Sequence, residues 1–124
     1  MPILDANVIL RYLLRDIPDM AETAKETIMS GASTTVEVLA EVVYVLSSVY
    51  KVNRETIATT LEAFLPEIDV SHRAALRYAF QLYSKRKIDF VDCVLAGYHF
   101  AEGQDIMTFD IKLQKVLSKD MADT

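Results

Sequence analysis

One stretch decides the predicted fold: Ile3-Leu4-Asp5-Ala6-Asn7-Val8-Ile9-Leu10-Arg11-Tyr12-Leu13-Leu14. The first two residues are typical of a short strand, and the apolar residues from position 8 to 14 recur with the spacing of a helix. Asp5 stands between the two, embedded in an apolar run. Because acids normally stay in solvent, an acid in such a run is expected to be paired, bound to a metal or catalytic.

The rest of the chain repeats this alternation of short strands and longer helices. Further strands are predicted at Ala32-Ser33, at residues 68–70 and at residues 105–108, with helical periodicity between them. Strands that alternate with helices, without any hairpin signal, indicate an α/β fold with a parallel sheet and helices on both faces.

The predicted helix boundaries come from capping residues and breakers. Pro18 is predicted to end the first helix, and Gly103 a later one. Asp19 with Glu22, and Thr34 with Glu37, have the spacing of capping boxes. The predicted N-caps are Asp19, Thr34, Asn53, Ser71 and Asp89.

Three further acids lie in or beside apolar runs: Glu41 in Leu39-Ala40-Glu41-Val42-Val43, Asp92 in Asp89-Phe90-Val91-Asp92-Cys93, and Asp110 in Thr108-Phe109-Asp110. In open α/β sheets, ligands sit outside the carboxyl ends of the strands. These acids follow a strand or lie in early turns of helices near that edge, so we predict that they converge with Asp5. Converging carboxylates raise each other's pKa unless a cation neutralises them. Oxygen ligands suit Mg²⁺ or Mn²⁺, which indicates a metal-dependent phosphodiester hydrolase.

Length and composition limit the possible domain organisation and location of the protein. A chain of 124 residues, 52% apolar, is long enough for one domain with a substantial core. No apolar run reaches the roughly 18–20 residues of a membrane span, and the first strand begins too early for a cleaved signal peptide. The single cysteine, Cys93, fits a reducing cytoplasm and is read as a small buried thiol.

The net charge of −5 argues against binding nucleic acid through bulk electrostatics. Local basic groups remain, and each one taken singly is read as a solvated surface charge. The group that precedes Asp89 and Asp92 is the most interesting of them. The groups are Arg11 with Arg15, Lys85-Arg86-Lys87, and Lys112 with Lys115.

Taken together, the acidic motifs resemble those of PIN-domain proteins. The resemblance rests on Leu4-Asp5-Ala6-Asn7-Val8-Ile9-Leu10-Arg11-Tyr12-Leu13, Leu39-Ala40-Glu41-Val42, Phe90-Val91-Asp92-Cys93-Val94-Leu95-Ala96 and Thr108-Phe109-Asp110. It runs from residue 3 to about residue 117. Within the family the chain is most similar to toxin ribonucleases of the VapC type, which belong to prokaryotic VapBC toxin–antitoxin pairs.

The resemblance implies one PIN domain over residues 1–124, with residues 118–124 as a short polar tail. It implies a three-layer α/β/α PIN-like fold with a central parallel sheet of four to five strands, the fifth being in doubt because the tail is short. It also implies Mg²⁺- or Mn²⁺-dependent endoribonuclease activity, with tRNA or rRNA as the expected target and inhibition of translation as the result. Homodimerisation and inhibition by a cognate antitoxin are implied as well.

The functional residues follow from the matched motifs. The resemblance assigns catalysis and metal binding to four acids: Asp5, Glu41, Asp92 and Asp110. Supporting roles fall to Asn7, Thr108 and Asp89. Asp89 is predicted chiefly to cap a helix, although it could orient a metal-bound water. Glu37, one turn before Glu41, is read as a capping residue and not as part of the site.

Other functions stay open at this point. A phosphotransferase of the haloacid-dehalogenase kind would need a second Asp where this chain has Asn7. A non-catalytic binding module with a PIN fold, and an RNA-processing nuclease that is not a toxin, are the remaining alternatives.

Overall fold

Helices account for most of the structure, a computed structural model that describes residues 1–123. Thr124, the last residue of the predicted polar tail, lies outside the described residues. The α-helices are α1 (Ala6–Leu14), α2 (Pro18–Met29), α3 (Val36–Ser48), α4 (Arg54–Phe64), α5 (Arg73–Lys85), α6 (Phe90–Glu102) and α7 (Ile111–Leu117). Two short 3₁₀ helices span Leu65–Glu67 and Met121–Asp123.

The predicted sheet does not form. Within residues 1–123 the β-pairing consists of isolated parallel bridges, from Ile3 to Ser33 and from Ser33 to Asp69. The Leu4 N–H donates to the Ser33 carbonyl at 2.7 Å, and the Thr34 N–H donates to the Asp69 carbonyl at 3.0 Å. The prediction of a three-layer α/β/α fold with a central parallel sheet of four to five strands is therefore wrong.

The reason lies in the length and exposure of the apolar runs. Each of the first three runs has only two or three residues before the next helix start, whereas strands usually have about five. Residues 105–108 form no bridge, and Asp105 and Met107 are exposed. A strand of a parallel sheet would need side chains buried on both faces. The sequence pattern located the bridged segments but overestimated their pairing.

The described chain divides into two compact units. The first consists of residues 1–53 and 63–71, and the second of residues 54–62 and the chain from His72 onward. In the first unit, α1 packs against both α2 and α3. Ile9 of α1 and Leu39 and Val42 of α3 are completely buried, which stabilises the unit by roughly 1.5–3 kcal/mol for each side chain.

The second unit is built on the pairing of α5 with α6. The ring of Phe90 stacks on Phe80, with centroids 5.0 Å apart, and meets Tyr83 edge-on at 5.7 Å. Gly97 lies where α6 comes closest to α5, because a Cβ at this position would stand 2.3 Å from the Ala75 carbonyl oxygen. Only a residue without a side chain permits this distance between the two backbones.

Several predicted helix boundaries shift by a few residues. Helix α1 ends at Leu14, and Pro18 is the first residue of α2, where its missing N–H removes no helical hydrogen bond. Asp19 therefore lies inside α2 and does not cap it. His72, not Ser71, is the N-cap of α5.

The predicted capping box of α3 is also wrong. Thr35 is the N-cap, and its hydroxyl oxygen accepts a hydrogen bond from the Val38 N–H at 3.2 Å. Thr34 is buried, and its hydroxyl donates to the Leu4 carbonyl instead. Glu37 is therefore an exposed acid in the first turn of α3 without the capping-box role.

Gly97→Ala should lower the free energy of unfolding by about 1–3 kcal/mol, because α5 and α6 would have to move apart. Urea unfolding of both proteins measures this difference. At an open helical position the same change would stabilise by about 1 kcal/mol. Ala101→Gly, at an exposed position of α6, measures that propensity effect alone. A gain in stability for Gly97→Ala would contradict the close approach of the two helices.

Candidate active site

Three acids of the second unit meet in one cleft of about 210 Å³. Asp89, Asp92 and Asp110 line it, and two lysines, Lys87 and Lys112, stand at the same cleft. Ile88 and Leu113 complete the lining. We call this the carboxylate cleft.

The start of α6 positions two of the acids. Asp89 is the N-cap of α6, as predicted, and Gly103 closes the helix in a left-handed conformation. The Asp89 side chain makes no capping hydrogen bond, so its carboxylate is not committed to the helix end. Asp92 lies in the first turn and is partly buried.

Asp110 is positioned by the start of α7. Its Oδ1 accepts hydrogen bonds from the N–H groups of Lys112 and Leu113 at 2.8 and 3.1 Å. The Asp110 N–H donates to the Thr108 hydroxyl oxygen at 3.0 Å. Capping thus fixes one carboxylate oxygen of Asp110, and Thr108 holds the turn that precedes it.

The environment of this cleft disfavours the charged form of Asp92. Burial raises the pKa of Asp92, and the neighbouring carboxylates of Asp89 and Asp110 raise it further. A carboxylate that served mainly to complement the helix dipole would have a lowered pKa. The part of the shift that comes from Asp89 and Asp110 indicates a local surplus of negative charge, which a bound cation would relieve.

An arginine that the sequence analysis missed shapes the approach to the cleft. Arg54 Nε donates to the Tyr83 carbonyl at 2.8 Å, and Nη2 donates to the carbonyls of Arg86, at 2.8 Å, and of Ile88. Its guanidinium also stacks over the Tyr83 ring, 3.7 Å from the centroid. Arg54 thus holds the connection from α5 to Asp89 in place. The one available signal was a cation in the first turn of a helix, where the dipole disfavours it.

The first unit carries the other two predicted acids. Asp5 is exposed and caps α1, with its Oδ1 accepting from the Val8 N–H at 2.9 Å. Glu41 is exposed on α3. Asn7 is exposed, and no side-chain hydrogen bond of Asn7 occurs within residues 1–123. The structure thus brings Asp89, Asp92 and Asp110 together in the second unit, while the assignments of Asp5, Asn7 and Glu41 stay predictions.

The donor atoms of the carboxylate cleft limit the ways in which it could hold a divalent cation. Within residues 1–123, no three His, Cys, Asp or Glu side chains lie close enough to ligate one ion directly. All the acidic donors are oxygens, however, and Mg²⁺ usually keeps several waters and needs only one or two carboxylates. The cleft therefore fits a water-mediated Mg²⁺ or Mn²⁺ site and not a fully protein-ligated one.

Cys93 and the histidines take no part in this arrangement. Cys93 is buried on α6, and burial raises its pKa to about 12, so the thiol is not a nucleophile. His72 Nδ1 lies 2.7 Å from Glu102 Oε2, and His99 Nδ1 lies 2.8 Å from the Gln104 carbonyl. Both contacts lie outside the carboxylate cleft.

Comparison with known proteins identifies the class. The model of the PIN domain family matches residues 3–118, and the chain belongs to that family. Within it, the chain is 33% identical over 101 residues to a VapC ribonuclease of Aquifex aeolicus (strain VF5). The aligned stretch covers 76% of this chain and 75% of that protein. No solved structure matches the chain.

Within residues 1–123, no helix combines the length and the apolar character needed to cross a bilayer.

Asp92→Asn should stabilise the protein at pH 7 in EDTA, by less than about 1 kcal/mol because solvent screens this partly buried group. A raised pKa means that the folded state holds the proton at a pH where the unfolded chain has released it. The ionised carboxylate therefore lowers stability at neutral pH, and this effect disappears below the ordinary value of 3.8.

Urea unfolding across a pH series measures this gain, with Asp105→Asn as an exposed control outside the cleft. A gain that is equal at pH 3 and pH 7 would mean that packing, and not charge, explains the effect.

Proposed function

We propose that this chain is a Mg²⁺- or Mn²⁺-dependent endoribonuclease. We further propose that it is the toxin of a type II toxin–antitoxin pair, which inhibits translation by cutting tRNA or rRNA. The observation that carries the proposal is the carboxylate cleft, where Asp92 is partly buried beside Asp89 and Asp110. Membership of the PIN-domain family and the similarity to a VapC ribonuclease support the choice of RNA.

Four acids share the proposed work of holding the cation: Asp5, Glu41, Asp92 and Asp110. The case for Asp92 and Asp110 is geometric, because both line the carboxylate cleft. The case for Asp5 and Glu41 rests on the sequence motifs that surround them. When bound, a divalent cation lowers the pKa of a coordinated water and neutralises charge on the phosphate that is attacked.

The protein's own residues would orient the carboxylate oxygens and a water, and would supply positive charge to the phosphate. The capping bonds of Asp110 fix its carboxylate oxygen Oδ1 and so set the direction of the other oxygen. Asp89 makes no capping bond, so its carboxylate is available to orient a water or accept its proton. Lys112 at the cleft would bind phosphate oxygens, which an acidic site would otherwise repel.

The proposed substrate class depends on how easily the RNA backbone can enter the carboxylate cleft. The carboxylate cleft is small and partly open, and Asp92 is only partly exposed. A single-stranded loop can present its phosphodiester in such a cleft more easily than a duplex, whose backbone is held on a rigid helix. We therefore propose an exposed loop of a structured RNA as the cleavage site.

Exposed apolar side chains support a protein partner. Met107, Phe109 and Ile111 are 77%, 87% and 67% exposed, and they flank Asp110 in the chain. Apolar groups of this size in solvent are typical of contact surfaces. An antitoxin that covered them would also cover Asp110, which would inhibit the enzyme. Homodimerisation, a cytoplasmic location and a single PIN domain over residues 1–124 belong to the same proposal and rest on the sequence.

Mg²⁺ and Mn²⁺ should raise the melting temperature of the wild-type protein, because they bind the folded carboxylate cleft and not the unfolded chain. At a hundredfold excess over Kd the stabilisation is about 2.7 kcal/mol. Asp92→Asn should lose most of this shift, and Glu37→Gln should keep it. A wild-type melting temperature that does not respond to either ion would contradict metal binding.

Cleavage of a mixed tRNA and rRNA pool tests the activity directly. Discrete cuts should appear with Mg²⁺ or Mn²⁺, vanish in EDTA, and fall by roughly a hundredfold or more in Asp5→Asn, Glu41→Gln and Asp92→Asn. Glu37→Gln is the matched control, because Glu37 and Glu41 are both exposed acids on α3, one turn apart.

The possible outcomes distinguish a wrong residue assignment from the absence of nuclease activity. Wild-type cutting by Asp5→Asn would remove that residue from the site, and loss of cutting in Glu37→Gln would add Glu37 to it. If folded, antitoxin-free protein cuts nothing, the chain is a non-catalytic PIN module. An antitoxin gene beside the gene for this chain would separate a toxin from an RNA-processing nuclease.

A further inference from the structure

A basic depression adjoins the carboxylate cleft. It has a volume of about 240 Å³ and shares Lys87, Ile88 and Lys112 with the carboxylate cleft. We call it the basic cleft, and its lining consists of Arg86, Lys87, Ile88, Lys112, Lys115 and Val116. Two basic groups that are 25 residues apart in sequence thus meet at one surface: Arg86 with Lys87, and Lys112 with Lys115.

The four cations of the basic cleft are Arg86, Lys87, Lys112 and Lys115. None of them takes part in an ion pair within residues 1–123. The contact that Lys112 makes is to a neutral group, since its Nζ donates to the Lys87 carbonyl at 2.7 Å. This bond holds the ammonium group of Lys112 at the boundary of the two clefts. Lys87 and Lys112 also face the acids of the carboxylate cleft, whereas Arg86 and Lys115 line the basic cleft alone. Four clustered cations on a chain with a net charge of −5 indicate a site for an anion.

We infer that the basic cleft binds the backbone phosphates of RNA next to the phosphodiester that lies in the carboxylate cleft. This inference rests on the proposed function and names the subsite that holds the strand. The carboxylate cleft then receives the phosphate that is cut, and the basic cleft receives the adjacent phosphate of the RNA strand. Guanidinium and ammonium groups bind phosphate oxygens through charge-assisted hydrogen bonds.

RNA fits the pair of clefts better than an acidic protein segment does. A nucleic-acid strand carries a phosphate at every nucleotide, so one strand can occupy both clefts. The acidic end would accept its phosphate together with a divalent cation. An acidic peptide gains contacts only in the basic cleft, and its further carboxylates would be repelled by Asp89, Asp92 and Asp110.

The test measures RNA binding without cleavage. All proteins carry Asp92→Asn and are kept in EDTA, and the probe is a labelled, short single-stranded RNA of mixed sequence. Fluorescence anisotropy gives Kd over a series of salt concentrations. The variant is Lys87→Gln with Lys115→Gln, because both residues are exposed and neither side chain makes a hydrogen bond or ion pair within residues 1–123.

In the double variant Kd should rise by roughly tenfold at moderate salt. The slope of log Kd against log salt should fall by roughly 1.4, which is about 0.7 for each lost single-strand phosphate contact. Lys87→Arg with Lys115→Arg should keep the parent's Kd. Lys25→Gln with Lys119→Gln is the matched control, since it removes the same charge from lysines that line neither cleft.

An unchanged Kd and slope in the Lys87/Lys115 double variant would overturn the inference. Equal weakening by the Lys25/Lys119 control would overturn it as well, because net charge alone would then explain binding. If the double variant lost affinity only for a purified antitoxin, the basic cleft would be a protein-binding site and the inference would also be wrong.

Failure of the inference is distinguishable from failure of the proposed function. RNA cleavage is scored separately, in proteins with Asp92 intact. A wild-type protein that cuts RNA, beside a double variant that binds normally, would reject the subsite and keep the nuclease. A wild-type protein that cuts nothing, beside a double variant with weakened binding, would keep the subsite and reject the nuclease. In a cutting enzyme, the double variant should raise KM more than it lowers kcat.

Discussion

The repulsion that Asp89 and Asp110 exert on Asp92, in a cleft of about 210 Å³, is the constraint on which the candidate site of the second unit depends. Asp89 and Asp110 are exposed, so water screens part of their charge, whereas Asp92 is partly buried. The three acids stay close together because Asp89 and Asp92 lie at the start of α6 and Asp110 lies at the start of α7. Arg54 secures the connection that leads into α6, and the contact at Gly97 keeps α6 against α5. The structure thus retains a local excess of negative charge that a cation can neutralise.

The closeness of Asp89 to Asp92 could be predicted from the sequence because it depends on local spacing. Asp89 and Asp92 are three residues apart at a helix start, so one turn of α6 is enough to bring them close together. Arg54 could not be found in this way, because its acceptors lie about thirty residues away at the end of α5. The meeting of Lys87 and Lys112 depends in the same way on how α7 packs against α6. Such contacts come from tertiary packing and leave no periodic signal.

The fold prediction failed for a related reason. Hydrophobic periodicity located the α-helices in the right order, because helical patterns over a dozen residues are strong. A short apolar run does not show whether it will form a β-ladder or only a single bridge. Ser33 forms single bridges, to Ile3 and to Asp69. The capping residues show the same limit at smaller scale. Two adjacent threonines, Thr34 and Thr35, are equally good caps by sequence, and only the burial of Thr34 decides between them.

Helix α7 has only seven residues, yet it contributes to both clefts of the second unit. A helix of this length has little stability of its own and is held by its cap and by Leu113 and Val116, which are buried. Segments with so few anchors open more often than the rest of a domain. Each opening of α7 would remove Asp110, Lys112 and Lys115 from the two clefts in one event. RNA cleavage and RNA binding would then be lost and regained together. The enzyme would then alternate between a complete site and none, and a ligand that bridges the two clefts would hold α7 closed.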